Sequence, residues 1–159
     1  MKYCIDTSGL SSGWRRHYPR GNFPSLWKDI EAFIGGGSLI APDEVLEELK
    51  RGGDDLYDWA RTQSGLFVPH DADIQNTVSS ILANPEHAKL LYTQDALNPA
   101  VADPFVIATA KVHGCAVISN EVRLSSPSPK KNKIPNVCDD LGIAHISFLD
   151  LIIEQGWVY

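Results

Sequence analysis

Met1-Lys2-Tyr3-Cys4-Ile5-Asp6-Thr7-Ser8 opens the chain with an apolar run that stops at an acid followed by two hydroxyls. The run is too short for a helix and reads as a buried strand over residues 2–6. A second run, Cys115-Ala116-Val117-Ile118-Ser119, stops in the same manner at Asn120 and Glu121. Between them Asp103 stands directly before Pro104. That proline suits the first position of a helix, which makes Asp103 its N-cap. Acids at the ends of elements, far apart in sequence, are what a divalent-metal site at the edge of a parallel sheet requires.

Outward from the first strand, the segment 7–24 is polar and punctuated by Gly9, Gly13, Pro19, Gly21 and Pro24, which reads as a loop carrying Trp14, Arg15, Arg16, His17 and Tyr18. Ser25 is placed to cap a helix whose apolar stripe is Leu26, Trp27, Ile30, Phe33 and Ile34, and the glycines at 35–37 end it. Further strands are expected at 38–41, 66–69, 115–119 and 143–147. Helices are expected at 43–51, from Asp54, at 72–83, from Pro85, from Pro104, at 136–141 and at 148–155. Asp139 and Asp140 read as the start of the penultimate helix. Strand alternating with helix means βαβ crossovers. The expected fold is therefore α/β, one three-layer domain over residues 1–159, with a central, mainly parallel sheet flanked by helices. In such sheets the working crevice lies beyond the carboxyl ends of the strands, where Asp6 and the segment 119–121 fall.

The helix at 43–51 separates its acids by angle. At about 100° per residue, Val45, Leu46 and Leu49 share an apolar face, and Glu44 and Glu47 fall nearly opposite. Glu48 sits on the flank of that face and can look into a cleft. Glu44 and Glu47 read as surface residues.

A net charge of −6 argues against a general nucleic-acid coat protein, though not against an enzyme that meets phosphates through a bound ion. Local basic groups stand at Arg15-Arg16, Arg20, Lys50-Arg51, and Arg123 with Lys130, Lys131 and Lys133. No apolar run approaches a bilayer-spanning length, and the expectation is a cytoplasmic protein with no membrane contact. The three cysteines, Cys4, Cys115 and Cys138, are an odd count in apolar settings and read as reduced thiols. No Cys-x-x-Cys pair suggests structural zinc.

Carboxylates crowded at one spot repel, and their pKa values rise unless a cation neutralises them. Mg2+ or Mn2+, held by a few carboxylates with several retained waters, is the ion expected. The chain carries no P-loop, no G-x-G-x-x-G and no G-x-S-x-G.

Four pieces in order resemble PIN-domain ribonucleases: Asp6-Thr7-Ser8 after strand one, Glu48 within Leu46-Glu47-Glu48-Leu49-Lys50-Arg51-Gly52, Asp103 in Asp-x3-Ile-Ala-x-Ala, and Ser119-Asn120-Glu121 after a strand. The segment Lys133-Ile134-Pro135-Asn136-Val137-Cys138 and the region 42–59 are similar to a PIN-like branch among bacterial toxin–antitoxin proteins. The resemblance implies a PIN-like fold and a Mg2+- or Mn2+-dependent endoribonuclease, the VapC-like toxin of a type II pair. It further implies an RNA substrate, a cognate antitoxin and a homodimer. By position it makes Asp6, Glu48 and Asp103 shared metal ligands and catalytic residues, with Glu121 as the fourth acid. The family usually has Thr-x-Asp where this chain has Ser119-Asn120-Glu121, so the longer Glu121 would reach an ion directly or through water. Thr7, Ser8, Ser119, Asn120, Lys131 and Lys133 are then candidate substrate contacts, with Lys130 and Arg123 beside them and Arg15 and Arg16 on the other side.

Other readings compete. A haloacid-dehalogenase-like phosphatase also opens with an acid after strand one, but it needs a second acid two residues on, where this chain has Ser8. A receiver-like module needs an acid adjacent to the first, and Ile5 stands there. A PIN-like module that binds RNA or a protein without turnover has the same four acids available to it.

Overall fold

The computed structural model describes residues 1–159. Five strands form one sheet: β1 (Tyr3–Ile5), β2 (Leu39–Pro42), β3 (Phe67–Val68), β4 (Ala116–Ile118) and β5 (His145–Ile146). Their order is β3-β2-β1-β4-β5. Every neighbouring pair is parallel, so the expected mainly parallel sheet is wholly so. The register sets Cys4 beside Val117 and Ile5 beside Ile118. The residues that follow β1 and β4 therefore emerge side by side.

β1 is central. From it the chain crosses first to β2 and β3 on one side and later to β4 and β5 on the other. The crevice of such a sheet opens where the crossing direction reverses, here between the carboxyl ends of β1 and β4. Both strands are buried along their length. A strand covered on both faces accounts for sequences such as Tyr-Cys-Ile and Ala-Val-Ile, with no polar alternation.

Residues 18–23 form the expected loop, but residues 7–17 do not. Thr7–Ser12 forms a short helix, α1, and Gly13–His17 continues it as a π-helical turn. Asp6 starts α1 by accepting from the Gly9 amide at 2.7 Å. The glycines that suggested a loop are there for close approach. A Cβ at Gly9 would lie 2.9 Å from Ile5 Cγ1, and one at Gly13 would lie 3.1 Å from the Phe148 ring. Trp14 anchors the turn, packing on Trp27 and Trp59 with ring centroids 4.8 and 5.2 Å away.

Helix α2 (Pro24–Gly35) begins one residue before the expected cap: Pro24 takes the first turn and Phe23 the capping position, so Ser25 does not cap. Helices α3 (Asp43–Gly52), α4 (Asp55–Ala60) and α5 (Ala72–Ala83) fall where the apolar periodicity places them. Asp54 caps α4 by accepting from the Tyr57 amide at 3.3 Å. Helix α6 (Pro85–Ala88) is a single turn extended by a 3-10 turn, Lys89–Leu91.

Helix α7 (Ala102–His113) starts earlier than expected. Val101 already has helical angles, and Asp103 lies inside the first turn rather than at the N-cap. Helix α8 (Ile134–Leu141) also begins early, with Pro135 in its first turn. Asp139 and Asp140 consequently sit at its carboxyl end, not its start, where Asp139 pairs with Arg123 and Asp140 lies 3.1 Å from His87 Nε2. Helix α9 (Phe148–Gln155) is capped by Ser147 and Asp150 reciprocally.

One apolar cluster runs from Tyr3 on β1 to Ile152 on α9. All three cysteines are buried in it and unpaired. No helix is long and apolar enough to cross a membrane.

Candidate active site

At the carboxyl ends of β1 and β4 a cavity of about 620 Å3 is lined by Asp6, Glu48, Asp103 and Glu121 together with Thr7, Ser8 and Lys131. These residues come from the loop after β1, from α3, from the first turn of α7, and from the chain after β4. The parallel register brings the first and last together, α7 packs on both strands, and α3 packs against α1 and α7.

Asp6 is 4% exposed, and its burial is matched by hydrogen bonds. Oδ1 accepts from the Gly9 amide at 2.7 Å. Ser8 Oγ lies 2.9 Å from both carboxylate oxygens, and Ser119 Oγ donates to Oδ2 at 3.0 Å. Each hydroxyl accepts a backbone amide in turn: Asn120 N donates to Ser8 Oγ at 3.0 Å, and Glu121 N donates to Ser119 Oγ at 3.1 Å. The two serines thus pass the dipoles of the amides after β4 to the carboxylate that follows β1.

Burial nevertheless pushes the Asp6 pKa up to about 7, against the lowering pull of Gly9, Ser8 and Ser119, with Glu121 adding repulsion. Asp103 is pushed up to about 8, by burial first and then by the charges of Glu121 and Asp6, while Lys131 works the other way. Lys131 Nζ stands 3.6 Å from Asp103 Oδ2 and donates to the Leu90 carbonyl at 2.5 Å. Because Asp103 is not spent as an N-cap, its carboxylate faces the cavity, where Lys131 is its ion-pair partner.

Glu48 faces the cavity from the flank of α3, as the wheel predicts. Glu47 is exposed. Glu44 differs from its expected surface role: its side chain is 16% exposed and lies 3.0 Å from His70 Nδ1. Glu121 has a further task, since its Oε2 accepts from the Ile134 amide at 2.8 Å and so closes the first turn of α8.

The candidate substrate contacts divide. Thr7, Ser8 and Lys131 line the cavity, whereas Asn120 lines an adjacent one. Ser119 is 1% exposed and holds Asp6, so it positions a carboxylate rather than meeting substrate. Lys133 occupies the N-cap position of α8 and is absent from the cavity wall. Arg123 is engaged by Asp139, and Arg15 by Asp54. Sequence reasoning missed Arg51, Tyr92, Thr93 and Asn98 on the same wall. Arg51 was within reach, since it stands three residues beyond Glu48 on α3 and shares its face. The 92–98 loop gave no signal, because only the packing of the 3-10 turn Lys89–Leu91 on α7 brings it to the cavity.

No group of three or more His, Cys, Asp or Glu side chains is arranged to hold one ion by itself. The donor chemistry still suits a hard cation. Mg2+ takes one or two carboxylates and keeps several waters, and four carboxylates line this cavity. The buried Thr7 hydroxyl on the same wall has no hydrogen-bond partner in the protein.

The model of a domain of unknown function, DUF4411, matches residues 3–159. The chain belongs to the DUF4411 family. No curated protein matches it. Among solved structures this DUF4411 chain is similar to VapBC2 from Rickettsia felis bound to a DNA fragment from their promoter, at 13% identity and a TM-score of 0.54, covering 92% of this chain and 98% of that one. It is also similar to FitAB bound to an IR36 DNA fragment, at 14% identity and a TM-score of 0.55, covering 91% and 94%. At such identities the likeness is one of fold, and the fold of this chain is PIN-like, as the sequence resemblance implies.

Proposed function

We propose that this protein is a metal-dependent endoribonuclease, the toxin of a type II toxin–antitoxin pair, with Mg2+ or Mn2+ held by Asp6, Glu48, Asp103 and Glu121. One observation carries the reading: these four acids line one cavity, and burial first, then the charge of Glu121, holds Asp6 and Asp103 in it near pKa 7 and 8. Carboxylates in that condition are poised to take up a cation. When bound, such an ion supplies neutralisation of the acids, a polarised phosphate and an activated water.

The chain's own residues set the geometry around it. Gly9, Ser8 and Ser119 fix the Asp6 carboxylate, so little reorganisation is left for the reaction. Lys131 and Arg51 bring positive charge to the cavity wall, suited to the non-bridging oxygens of a phosphodiester. Thr7 and Ser8 offer hydroxyls on the same side. The fold shared with VapBC2 and FitAB supports a cognate antitoxin as partner. The reading carries with it a cytoplasmic location and a homodimer.

The test is cleavage of a single-stranded RNA in Mn2+ or Mg2+. The parent protein should cut it, EDTA should stop the reaction, and Asp6→Asn should be inert while folded by circular dichroism. Undiminished cleavage by Asp6→Asn removes the proposed site. A second reading, a PIN-like module that binds RNA or a protein without turnover, is favoured by a different observation: both Asp6 oxygens are already occupied by donors, and no ligand set of three is preformed. Calorimetry decides between them, since no heat with Mn2+ while RNA still binds selects the second.

A further inference from the structure

Beside the carboxylate cavity lies a smaller one of about 310 Å3, lined by Ser8, Ser11, Ser12, Arg15, Arg16 and Asn120. No lining residue is apolar and none is acidic. Two guanidiniums, three hydroxyls and an amide are an anion's chemistry, in a chain of net charge −6 and next to a cavity built from acids. The two cavities share Ser8 and Ser11 as a common wall.

We infer that this second cavity is a phosphate subsite, taking the backbone phosphate of a single-stranded RNA that neighbours the one in the carboxylate cavity. The inference rests on the nuclease reading and extends it. Its walls have different tasks. Arg15 is fixed, its Nε donating to Asp54 at 2.8 Å, so it shapes the cavity. Arg16 is exposed and makes no ion pair, which leaves its planar fork for two oxygens of one phosphate. The π-helical turn at Gly13–His17 sends Trp14 into the core while Arg15 and Arg16 stay outside, and single π turns recur at functional sites.

Ser12 gives an independent indication. It is 6% exposed and lines this cavity, and its hydroxyl has no hydrogen-bond partner within the protein. A buried hydroxyl without a partner is costly to keep. That hydroxyl is closed to solvent, so Ser12 must turn toward a seated anion, which then supplies the missing acceptor. Contacts of this kind position a strand without reading its sequence.

The test uses the full chain carrying Asp6→Asn, with magnesium present, so that strand binding is read without cleavage. A fluorescein-labelled single-stranded RNA octamer is titrated by anisotropy between 50 and 200 mM salt. Adding Arg16→Gln should weaken binding at least fivefold and reduce the slope of log K against log salt by about 0.7, the value for one phosphate contact on a single strand. Arg16→Lys should restore the slope. Ser12→Ala should weaken binding two- to threefold with the slope unchanged, yet raise the melting temperature of the free protein. Lys111→Gln, at the end of α7 on the wall of a separate cavity with Met1, should change nothing. If Arg16→Gln leaves both affinity and slope as they were, the subsite is overturned while the nuclease reading stands. If Ser12→Ala binds as tightly as its parent, Arg16 is a diffuse surface charge and the built subsite is overturned. If the Asp6→Asn protein binds no RNA, the nuclease reading falls and the subsite falls with it.

Discussion

Ser119 Oγ, at the end of β4, donates to Oδ2 of Asp6, at the end of β1, across 3.0 Å and 113 residues of chain. The same oxygen accepts the Glu121 amide, so one hydroxyl ties two of the four acids to each other. Ser119→Ala should therefore loosen both. The expected loss is about 1–2 kcal/mol, measured from the urea midpoint at pH 8, where Asp6 is charged and needs the donor most. Ser119→Thr keeps the hydroxyl and should recover most of it. A midpoint unmoved by Ser119→Ala would mean that this bond contributes nothing.

The raised carboxyls make stability depend on pH in a stated direction. Unfolded, Asp6 and Asp103 release their protons near pH 4. Folded, they hold them to about 7 and about 8. Between those limits the native state binds more protons than the unfolded one, so stability falls as pH rises from 4 to 8. His145, whose pKa burial lowers, opposes this only below its ordinary value. The melting temperature of the metal-free protein should drop on the order of 10 °C between pH 6 and pH 8.5. Asp6→Asn should make the profile shallower, leaving the share that Asp103 supplies, and saturating Mn2+ at pH 8 should raise the midpoint again. A flat parent profile would contradict the burial argument.

Glu121 serves two purposes that substitution can separate. Its carboxylate closes the first turn of α8 through the Ile134 amide at 2.8 Å. Glu121→Gln retains an oxygen acceptor and should fold with nearly the parent stability. Glu121→Ala should lose about 1 kcal/mol, as capping residues generally do. Both variants should weaken Mn2+ binding. Should Glu121→Gln bind Mn2+ as the parent does, the residue is only a helix cap.

Gly9 is fixed by its neighbours. An added methyl would meet Ile5 Cγ1 at 2.9 Å, the Ile118 carbonyl at 3.1 Å and Asp6 Oδ1 at 3.3 Å. Two of these atoms belong to the packed strand ends, which cannot withdraw. Gly9→Ala should cost about 1–3 kcal/mol and displace the Asp6 carboxylate, so activity should fall further than stability. Thermal melting alongside RNA cleavage checks the two together.

The primary structure by itself determined the alternation of strand and helix, because apolar runs of three or four residues and stripes of 3.6-residue period are local signals. It also marked Asp6 and Glu121 at the ends of apolar runs, Glu48 on the flank of an apolar stripe and Asp103 before Pro104, and the resemblance to PIN-domain ribonucleases joined the four. It misread residues 7–17, where Gly9 and Gly13 serve close packing and not a loop. It also misread Asp103, which lies inside α7 rather than capping it. Only the tertiary structure decided which groups share a wall. The register of β1 on β4 set Ser119 beside Asp6, and the packing of the 3-10 turn Lys89–Leu91 on α7 brought Tyr92 and Asn98 to the cavity wall. The raised pKa values of Asp6 and Asp103 belong to the same class of fact. Desolvation and repulsion arise from neighbours in space, and sequence separation carries no information about them.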